Sequence, residues 1–165
     1  VANMEELIGL GAKKFVCLGL AGGLSERTVH SRVVLCEKAL RDEGTSHHYL
    51  KPGRFASADP GFTAELEGIL EADGVSPLKG ASWTTDAPYR ETVGEMRRYR
   101  DEGLLSVEME AAAVFAVAGY RGVKAAGVFV ISDILSEKGW QPGFHFKGVR
   151  ETLKGLLALL ATKPG

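Results

Sequence analysis

An uninterrupted apolar run at residues 124–132 constrains the fold of this chain more than any other stretch. Between Ala125 and Ile131 it carries no charged side chain, and it is shorter than the ~18 residues that a membrane span needs. A strand that is apolar at consecutive positions has to be covered on both faces, as in the largely parallel sheets of α/β proteins. The run therefore predicts a central strand with helices packed on each side of its sheet.

Helical and extended patterns alternate along the rest of the chain. Apolar residues at helical spacing, together with capping residues, indicate helices, and short apolar runs indicate strands. The predicted helices span residues 3–12, 59–72, 90–102, 110–120 and 149–161, and the predicted strands span residues 15–20, 32–37, 78–85, 105–109 and 124–132.

Three connecting segments have a composition typical of turns and loops. Residues 21–24 predict a tight turn in which two glycines approach another group closely or take a positive φ, and residues 42–49 and 139–148 predict loops. The alternation of strands and helices predicts an α/β, three-layer fold with a central mixed sheet flanked by helices. We expect one domain over residues 1–165, without internal repeats or a linker.

Composition and charge argue against several classes of function. The formal net charge is -1, so no overall field attracts nucleic acid or an anionic membrane. Cys17 and Cys36 lack the spacing of a metal site or a redox motif, and we expect two reduced thiols and no metal. The chain shows neither an apolar span nor the pattern of a secretory signal. These features predict a cytoplasmic protein that binds no nucleic acid and no membrane.

Acids and hydroxyls follow three of the predicted strands, at residues 84–86, 108–110 and 132–133. Ligands of α/β proteins bind at the carboxyl ends of strands, so this arrangement favours a small-molecule site. Glu108 and Glu110 flank Met109, and on a strand they point to opposite faces. Because an unpartnered buried carboxylate is costly, these glutamates are expected either to be solvated at a strand edge or to face a pocket that binds hydroxyl groups.

Five segments in order carry a resemblance to a known family: residues 19–24, 41–49, 82–92, 107–113 and 131–133. Together they resemble the nucleoside phosphorylase family, most closely its uridine phosphorylase-like branch. The resemblance implies cleavage of the bond between a base and ribose, with a nucleoside and inorganic phosphate as substrates. It implies no cofactor, and it implies a homo-oligomer built from dimers, up to a hexamer.

The resemblance assigns the ribose site to residues 108–110. Glu110 matches the family glutamate that binds the 2′- and 3′-hydroxyls, Met109 the residue that packs on the sugar, and Glu108 a supporting residue behind it. A carboxylate suits this role because it accepts two charge-assisted hydrogen bonds from neighbouring hydroxyls. Its negative charge also stabilises a sugar that becomes cationic in the transition state.

The base site follows from the same resemblance. Asp133 matches the catalytic acid that protonates N7 of a purine, a task for which burial in an apolar setting raises a carboxyl pKa. Asp133 favours a purine, whereas the branch resemblance favours uridine, so both bases stay open. The Gln-x-Arg clamp of pyrimidine-specific relatives is not evident at residues 90–93. The residues assigned to base binding are Ser132, Thr84, Thr85, Pro88 and Tyr89.

The phosphate site departs from the family pattern. Cys17 stands where the family has an arginine and Leu20 where it has a hydroxyl, and neither side chain matches phosphate oxygens as an arginine does. The backbone around Gly22 is the remaining candidate. The resemblance also implies that the chain corresponds to the C-terminal two-thirds of the family fold, and we expect a fold truncated at the N-terminus. Three interpretations follow: phosphorolysis, hydrolysis by a phosphate-independent nucleosidase, and a non-catalytic nucleoside-binding or assembly protein.

Overall fold

A computed structural model describes residues 1–162 of the chain. Within these residues it contains helices and strands in alternation, with short 3-10 turns at Ser46–His48 and Pro88–Arg90. The helices are α1 (Ala2–Gly9), α2 (Pro60–Ala72), α3 (Val93–Asp101), α4 (Ala111–Arg121) and α5 (Lys147–Thr162). The strands are β1 (Lys14–Gly23), β2 (Val33–Asp42), β3 (Phe55–Ser57), β4 (Leu78–Thr85), β5 (Ser106–Glu108), β6 (Lys124–Ser136) and β7 (Gly139–Pro142).

The strands form one mixed sheet in the order β3-β2-β4-β5-β1-β6-β7, and β2 also pairs with β6. The pairs β1–β6, β2–β4 and β4–β5 are parallel, whereas β1–β5, β2–β6, β2–β3 and β6–β7 are antiparallel. Because β2 pairs with β6 as well as with β4, the sheet curls. The strands β1, β6, β2, β4 and β5 form a closed ring. This closure places the last residues of β1 beside β5, whose carboxyl end lies next to that of β4.

The central strand β6 is buried on both faces, as the apolar run predicts. Phe129 and Ile131 pack with α4 and α1, while Val128 and Val130 pack with α2 and α5 on the opposite face. All four of these side chains have no exposed surface. A third cluster, around Trp83, lies under α3. The predicted α/β, three-layer fold with a central mixed sheet is confirmed.

Side-chain caps mark where α2 and α3 begin. The Asp59 carboxylate accepts a hydrogen bond from the backbone N–H of Phe62 (2.7 Å) at the start of α2, with Pro60 in the first turn. At α3, Thr92 and Glu95 form a reciprocal capping box. These side-chain signals are readable in the sequence, and they lie where the helices are found.

The predicted tight turn at residues 21–24 is wrong, because β1 continues through Gly23 with a register shift between Ala21 and Gly22. The glycines serve close approach rather than a turn. A Cβ on Gly23 would lie 2.6 Å from the Thr28 carbonyl oxygen, and one on Gly22 would lie 2.6 Å from Leu135 Cδ1. Neither glycine has a positive φ.

Further differences from the predicted elements lie at the ends of strands and helices. β2 extends to Asp42, beyond the predicted 32–37, and β7 forms inside the predicted loop at 139–148. The predicted helix at 90–102 begins only at Val93, after a 3-10 turn. β3 was not predicted. Pairing with a neighbouring strand creates β3 and β7, and it is not visible in three or four residues of sequence.

The glycines of β1 differ in the room that their surroundings leave for a Cβ atom. Replacing them by alanine should therefore change stability by different amounts. We predict that Gly23→Ala lowers the free energy of unfolding by about 1–3 kcal/mol, because the new methyl group meets the Thr28 carbonyl oxygen at 2.6 Å. Gly19→Ala on the same strand should cost much less, since its Cβ would meet only the Phe129 ring, at 3.8 Å. Urea denaturation of both variants measures the difference, and equal losses would contradict the packing argument.

Candidate functional site

A cavity of about 900 Å³ opens where β1, β4 and β5 end and where β6 passes into the β7 hairpin. Its walls come from well-separated parts of the chain, which the closed sheet brings together. They include residues 18–22 of β1, 107–110 around the end of β5, 132–136 of β6 and 88–93 before α3. Trp140 and Phe144 of the β7 region complete the lining.

The Glu108 carboxylate is buried under the start of α4. It accepts hydrogen bonds from the Thr84 hydroxyl and from the backbone N–H groups of Glu110 (2.8 Å) and Ala111 (2.6 Å). These donors and the positive end of the helix favour its negative charge. Burial outweighs them and raises the pKa of Glu108 to about 7. Glu108 therefore fixes the first turn of α4 against β4.

Glu110 and Met109 are presented to the cavity by this arrangement. Glu110 occupies the position just before α4, and its side chain makes no capping hydrogen bond there. Its carboxylate is exposed at the cavity wall, and Met109 beside it is 45% exposed. Because Glu108 satisfies the backbone at the start of the helix, the Glu110 carboxylate has its oxygens available for a ligand.

Asp133 lies in the part of the cavity wall that β6 forms, and two donors hold it. The Ser132 hydroxyl donates to its Oδ1 (2.7 Å), and Trp140 Nε1 donates to its Oδ2 (2.8 Å). The carboxyl group is nearly buried, yet it lines the cavity. Gly22 leaves room for it, since a Cβ there would lie 3.1 Å from Asp133 Oδ2. The sequence indicated Asp133 and Ser132, but not the indole donor.

Only some of the residues assigned to base binding line the cavity. Thr84 does not line it: this side chain is fully buried, and its hydroxyl donates to Glu108 and accepts from the backbone N–H of Ala112 (3.0 Å). The predicted base contact of Thr84 is therefore replaced by a structural role. Thr85, Pro88 and Tyr89 do line the cavity, and the Tyr89 side chain is fully exposed at its rim.

The two positions that depart from the family pattern differ in their surroundings. Leu20 lines the cavity and presents an apolar side chain. Cys17 does not line it, and burial raises the pKa of its thiol to about 12, so this thiol is neutral at pH 7. The Gly22 backbone is at the wall. Among the residues 1–162 that line the cavity, none is a lysine, an arginine or a histidine.

Glu91 is a cavity residue that the sequence interpretation missed, because it was placed inside a predicted charged helix. In the structure it follows the 3-10 turn Pro88–Arg90 and lines the cavity before α3 begins. Burial, and then the charges of Asp133 and Glu95, raise the pKa of Glu91 to about 7. Because α3 starts three residues later than predicted, this side chain turns towards the cavity.

Neither a metal site nor a membrane helix is found in the part of the chain that the structure describes. Residues 1–162 bring together no group of three or more histidine, cysteine, aspartate or glutamate side chains suited to a metal ion. Over the same residues, no helix has the length and apolar character needed to cross a membrane.

Comparison with known proteins identifies the family. Residues 1–161 match the Phosphorylase superfamily. The guanosine phosphorylase of Halorubrum lacusprofundi is 31% identical over 132 residues, which are 80% of this chain and 55% of that protein. The uridine phosphorylase of Haemophilus influenzae is 26% identical over 77% of this chain and 57% of that protein. The chain therefore belongs to the phosphorylase superfamily, as a member similar to nucleoside phosphorylases.

A solved structure supports the fold. The structure described as a Plasmodium knowlesi homologue of the P. falciparum PNP superimposes with a TM-score of 0.80, at 24% identity, over 96% of this chain and 63% of that one. A DeoD-type purine nucleoside phosphorylase of an Exiguobacterium species is 28% identical over 79% of this chain and 56% of that protein. The chain thus spans a little over half the length of the relatives that it matches.

The buried Glu108 makes a pH-dependent contribution to stability. Because its pKa rises from 4.5 to about 7 on folding, the unfolded chain loses this proton first as pH increases, and the native state becomes less favoured between about pH 4.5 and pH 7. We predict that wild type loses up to about 3 kcal/mol of unfolding free energy across this interval through Glu108. The Glu108→Gln variant should lack this loss.

Urea denaturation of both proteins at several values between pH 5 and pH 8 measures the effect. Taking the difference between the two profiles removes contributions from other groups, such as Glu91. As pH rises, the unfolding free energy of Glu108→Gln should increase relative to that of wild type. Parallel profiles for the two proteins would show that Glu108 does not have a raised pKa in the folded state.

Proposed function

We propose that this cavity binds a nucleoside and that the chain takes part in its phosphorolysis, which releases the base and ribose 1-phosphate. The observation that carries the proposal is the convergence of Glu110, Met109 and Asp133 on one cavity from two distant segments. They are the residues to which the family resemblance gives the ribose and base roles. The names of the relatives, which act on guanosine, uridine or purine nucleosides, support the same class of substrate.

Glu110 is proposed to hold the ribose. Its carboxylate has two oxygens that accept hydrogen bonds from the vicinal 2′- and 3′-hydroxyls, and Met109 supplies an apolar contact for the sugar face. Orientation of the sugar accounts for much of the rate enhancement in reactions of this kind. As the C1′–N bond breaks, positive charge develops on the ribose, and the nearby carboxylate stabilises it.

Asp133 is proposed to serve the leaving base. The electrons of the broken C1′–N bond pass to the base, which leaves as a neutral molecule if Asp133 delivers a proton to N7 of a purine. The phosphate oxygen forms the new bond to C1′. Ser132 and Trp140 hold the carboxyl group from both sides, so its orientation is set before the substrate arrives. This role favours a purine nucleoside.

A second candidate, hydrolysis with water as the nucleophile, is favoured by two residues. Leu20 offers an apolar side chain at the cavity, and the Cys17 thiol stays neutral, whereas a phosphate dianion is bound by cationic and hydrogen-bonding groups. The homo-oligomer and the cytoplasmic location implied at the outset remain predictions.

The choice between these functions is made by assaying base release from inosine, guanosine, adenosine and uridine, each with and without phosphate. Base release that requires phosphate, with ribose 1-phosphate as the second product, supports phosphorolysis. Release at the same rate without phosphate supports hydrolysis. Tight binding of a nucleoside without any release identifies a non-catalytic binding protein, and no binding at all contradicts the proposal.

Glu110 provides the sharpest test of the site itself. We predict that Glu110→Ala lowers kcat/KM for the cleaved nucleoside by about 100-fold or more, because the ribose loses its charged acceptor. The carboxylate is exposed and makes no capping bond, so the variant should fold normally. Glu71→Ala removes an exposed glutamate from α2 that does not line the cavity, and serves as the matched control. Full activity of Glu110→Ala would exclude the assigned ribose role.

A further inference from the structure

Met109 differs from the other sulfur-containing side chains of the protein in its exposure to solvent. The chain has three methionines and two cysteines, and all of them lie within residues 1–162. Met4 and Met96 are buried, with 7% and 3% of their surface exposed, whereas Met109 is 45% exposed. Met96 also lines the cavity, but it is packed in the cluster around Trp83. A small solute that enters the cavity therefore reaches the Met109 thioether most easily.

The surroundings of the two thiols protect them from oxidants. Cys36 is fully buried, and burial raises the pKa of its thiol well above the usual value. Burial likewise raises the pKa of the Cys17 thiol to about 12. Because the thiolate is the form that oxidants attack, both cysteines react slowly at neutral pH. A thioether has no proton to lose, so its oxidation depends on exposure.

The backbone on both sides of Met109 is held in place. On its N-terminal side, residues 106–108 pair with β4. On its C-terminal side, the backbone N–H groups of Glu110 and Ala111 donate to the buried Glu108 carboxylate. Met109 is the one residue between these two attachments, and its side chain lines the cavity. An oxygen atom added to its sulfur is therefore placed at the cavity wall.

Hydrogen peroxide converts a thioether to a sulfoxide in a balanced two-electron step. A lone pair of the sulfur attacks one peroxide oxygen, and the O–O bond breaks. The hydroxide that departs takes the proton from the new S–OH group and leaves as water. The sulfur is oxidised and the peroxide is reduced. The product is a polar, chiral group in place of a flexible apolar one, and methionine sulfoxide reductases return it to the thioether.

A sulfoxide at this position opposes the binding of a sugar for two reasons. The proposed contact of Met109 with the ribose is apolar, and an oxygen on the sulfur removes it. The new oxygen is also a hydrogen-bond acceptor, in a wall that contains several carboxylates and, within residues 1–162, no cationic side chain. Water has to solvate this oxygen, and a bound nucleoside would displace that water at a cost in free energy.

Resting on the proposed nucleoside function, we propose that Met109 is a reversible oxidation site, at which peroxide weakens nucleoside binding by converting the thioether to the sulfoxide. Because all nucleosides share the ribose, the loss of affinity should be similar for purine and pyrimidine nucleosides. Oxidation therefore regulates the ribose site and leaves the choice of base unchanged.

Treatment with dilute hydrogen peroxide, followed by peptide mass spectrometry, should show the added oxygen on Met109 before it is found on Met4 or Met96. Inosine, guanosine, adenosine and uridine are then titrated by calorimetry. Each nucleoside that binds the untreated protein should bind the oxidised protein about tenfold more weakly. Incubation with methionine sulfoxide reductases A and B and dithiothreitol should restore the original dissociation constants.

Met109→Leu and Met4→Leu, in which leucine replaces methionine at similar volume, form a matched pair of variants. Each is compared with its own untreated sample. Peroxide should not change the affinity of Met109→Leu, and it should weaken that of Met4→Leu as in wild type. Oxidation of Met4 or Met96 as fast as Met109, or full conversion of Met109 without loss of affinity, would overturn the inference.

The two measurements separate this inference from the function on which it rests. If none of the four nucleosides binds to untreated wild type, the proposed function is wrong, and the regulatory role of Met109 falls with it. The mass spectra still decide, in that case, whether Met109 is the preferred oxidation site. If nucleosides bind and only the response to peroxide is missing, the proposed function stands and the inference is wrong.

Discussion

The contact between Glu108 and the start of α4 is the interaction on which the rest of the candidate site depends. One buried carboxylate joins the end of β4, through Thr84, to two backbone N–H groups at the beginning of the helix. Removing one partner of a buried charged hydrogen bond leaves an unsatisfied group and costs free energy. The same contact satisfies the helix start from within, so the next acid, Glu110, is not needed there and faces the cavity.

The other wall of the site depends on the burial of β6. Its side chains from Val128 to Ile131 are packed on both faces between helices, which fixes the position of the strand. Asp133 lies two residues after Ile131 on the same strand, so the core of the fold sets where the proposed acid lies. Gly22, on the neighbouring strand β1, leaves the space that the carboxyl group occupies. Stability and site geometry are therefore coupled in this strand.

Sequence patterns predicted the parts of the structure that local chemistry determines. The uniform hydrophobicity of residues 124–132 indicated the central strand, and Asp59 with Pro60 indicated the start of α2, where the helix is observed to begin. Contacts between distant segments were not predictable in this way. The pairing that creates β7, and with it the Trp140 donor to Asp133, depends on a hairpin whose four residues are all exposed. A strand of this kind carries no hydrophobic pattern.

The difference between local chemistry and contacts between distant segments also explains why the roles of Thr84 and Glu91 were not predicted. Thr84 resembles a ligand contact in sequence because it stands at a strand end, but a partner 24 residues away takes its hydroxyl. In sequence, Glu91 resembles another charged residue of a solvent-exposed helix. It reaches the cavity because α3 begins only after it. In both cases, the outcome depends on which way a side chain turns at the end of an element, and this is set by tertiary contacts.

The two hydrogen bonds to Asp133 belong to parts of the fold that differ in local stability. Ser132 is anchored in the core, whereas Trp140 lies on an exposed edge strand with few buried contacts. Regions of this kind open at much lower free energy than the packed centre of a protein. Detachment of β7 from β6 would remove the Trp140 donor from Asp133 and leave the Ser132 donor in place. The surroundings of the acid are therefore only as stable as this edge hairpin.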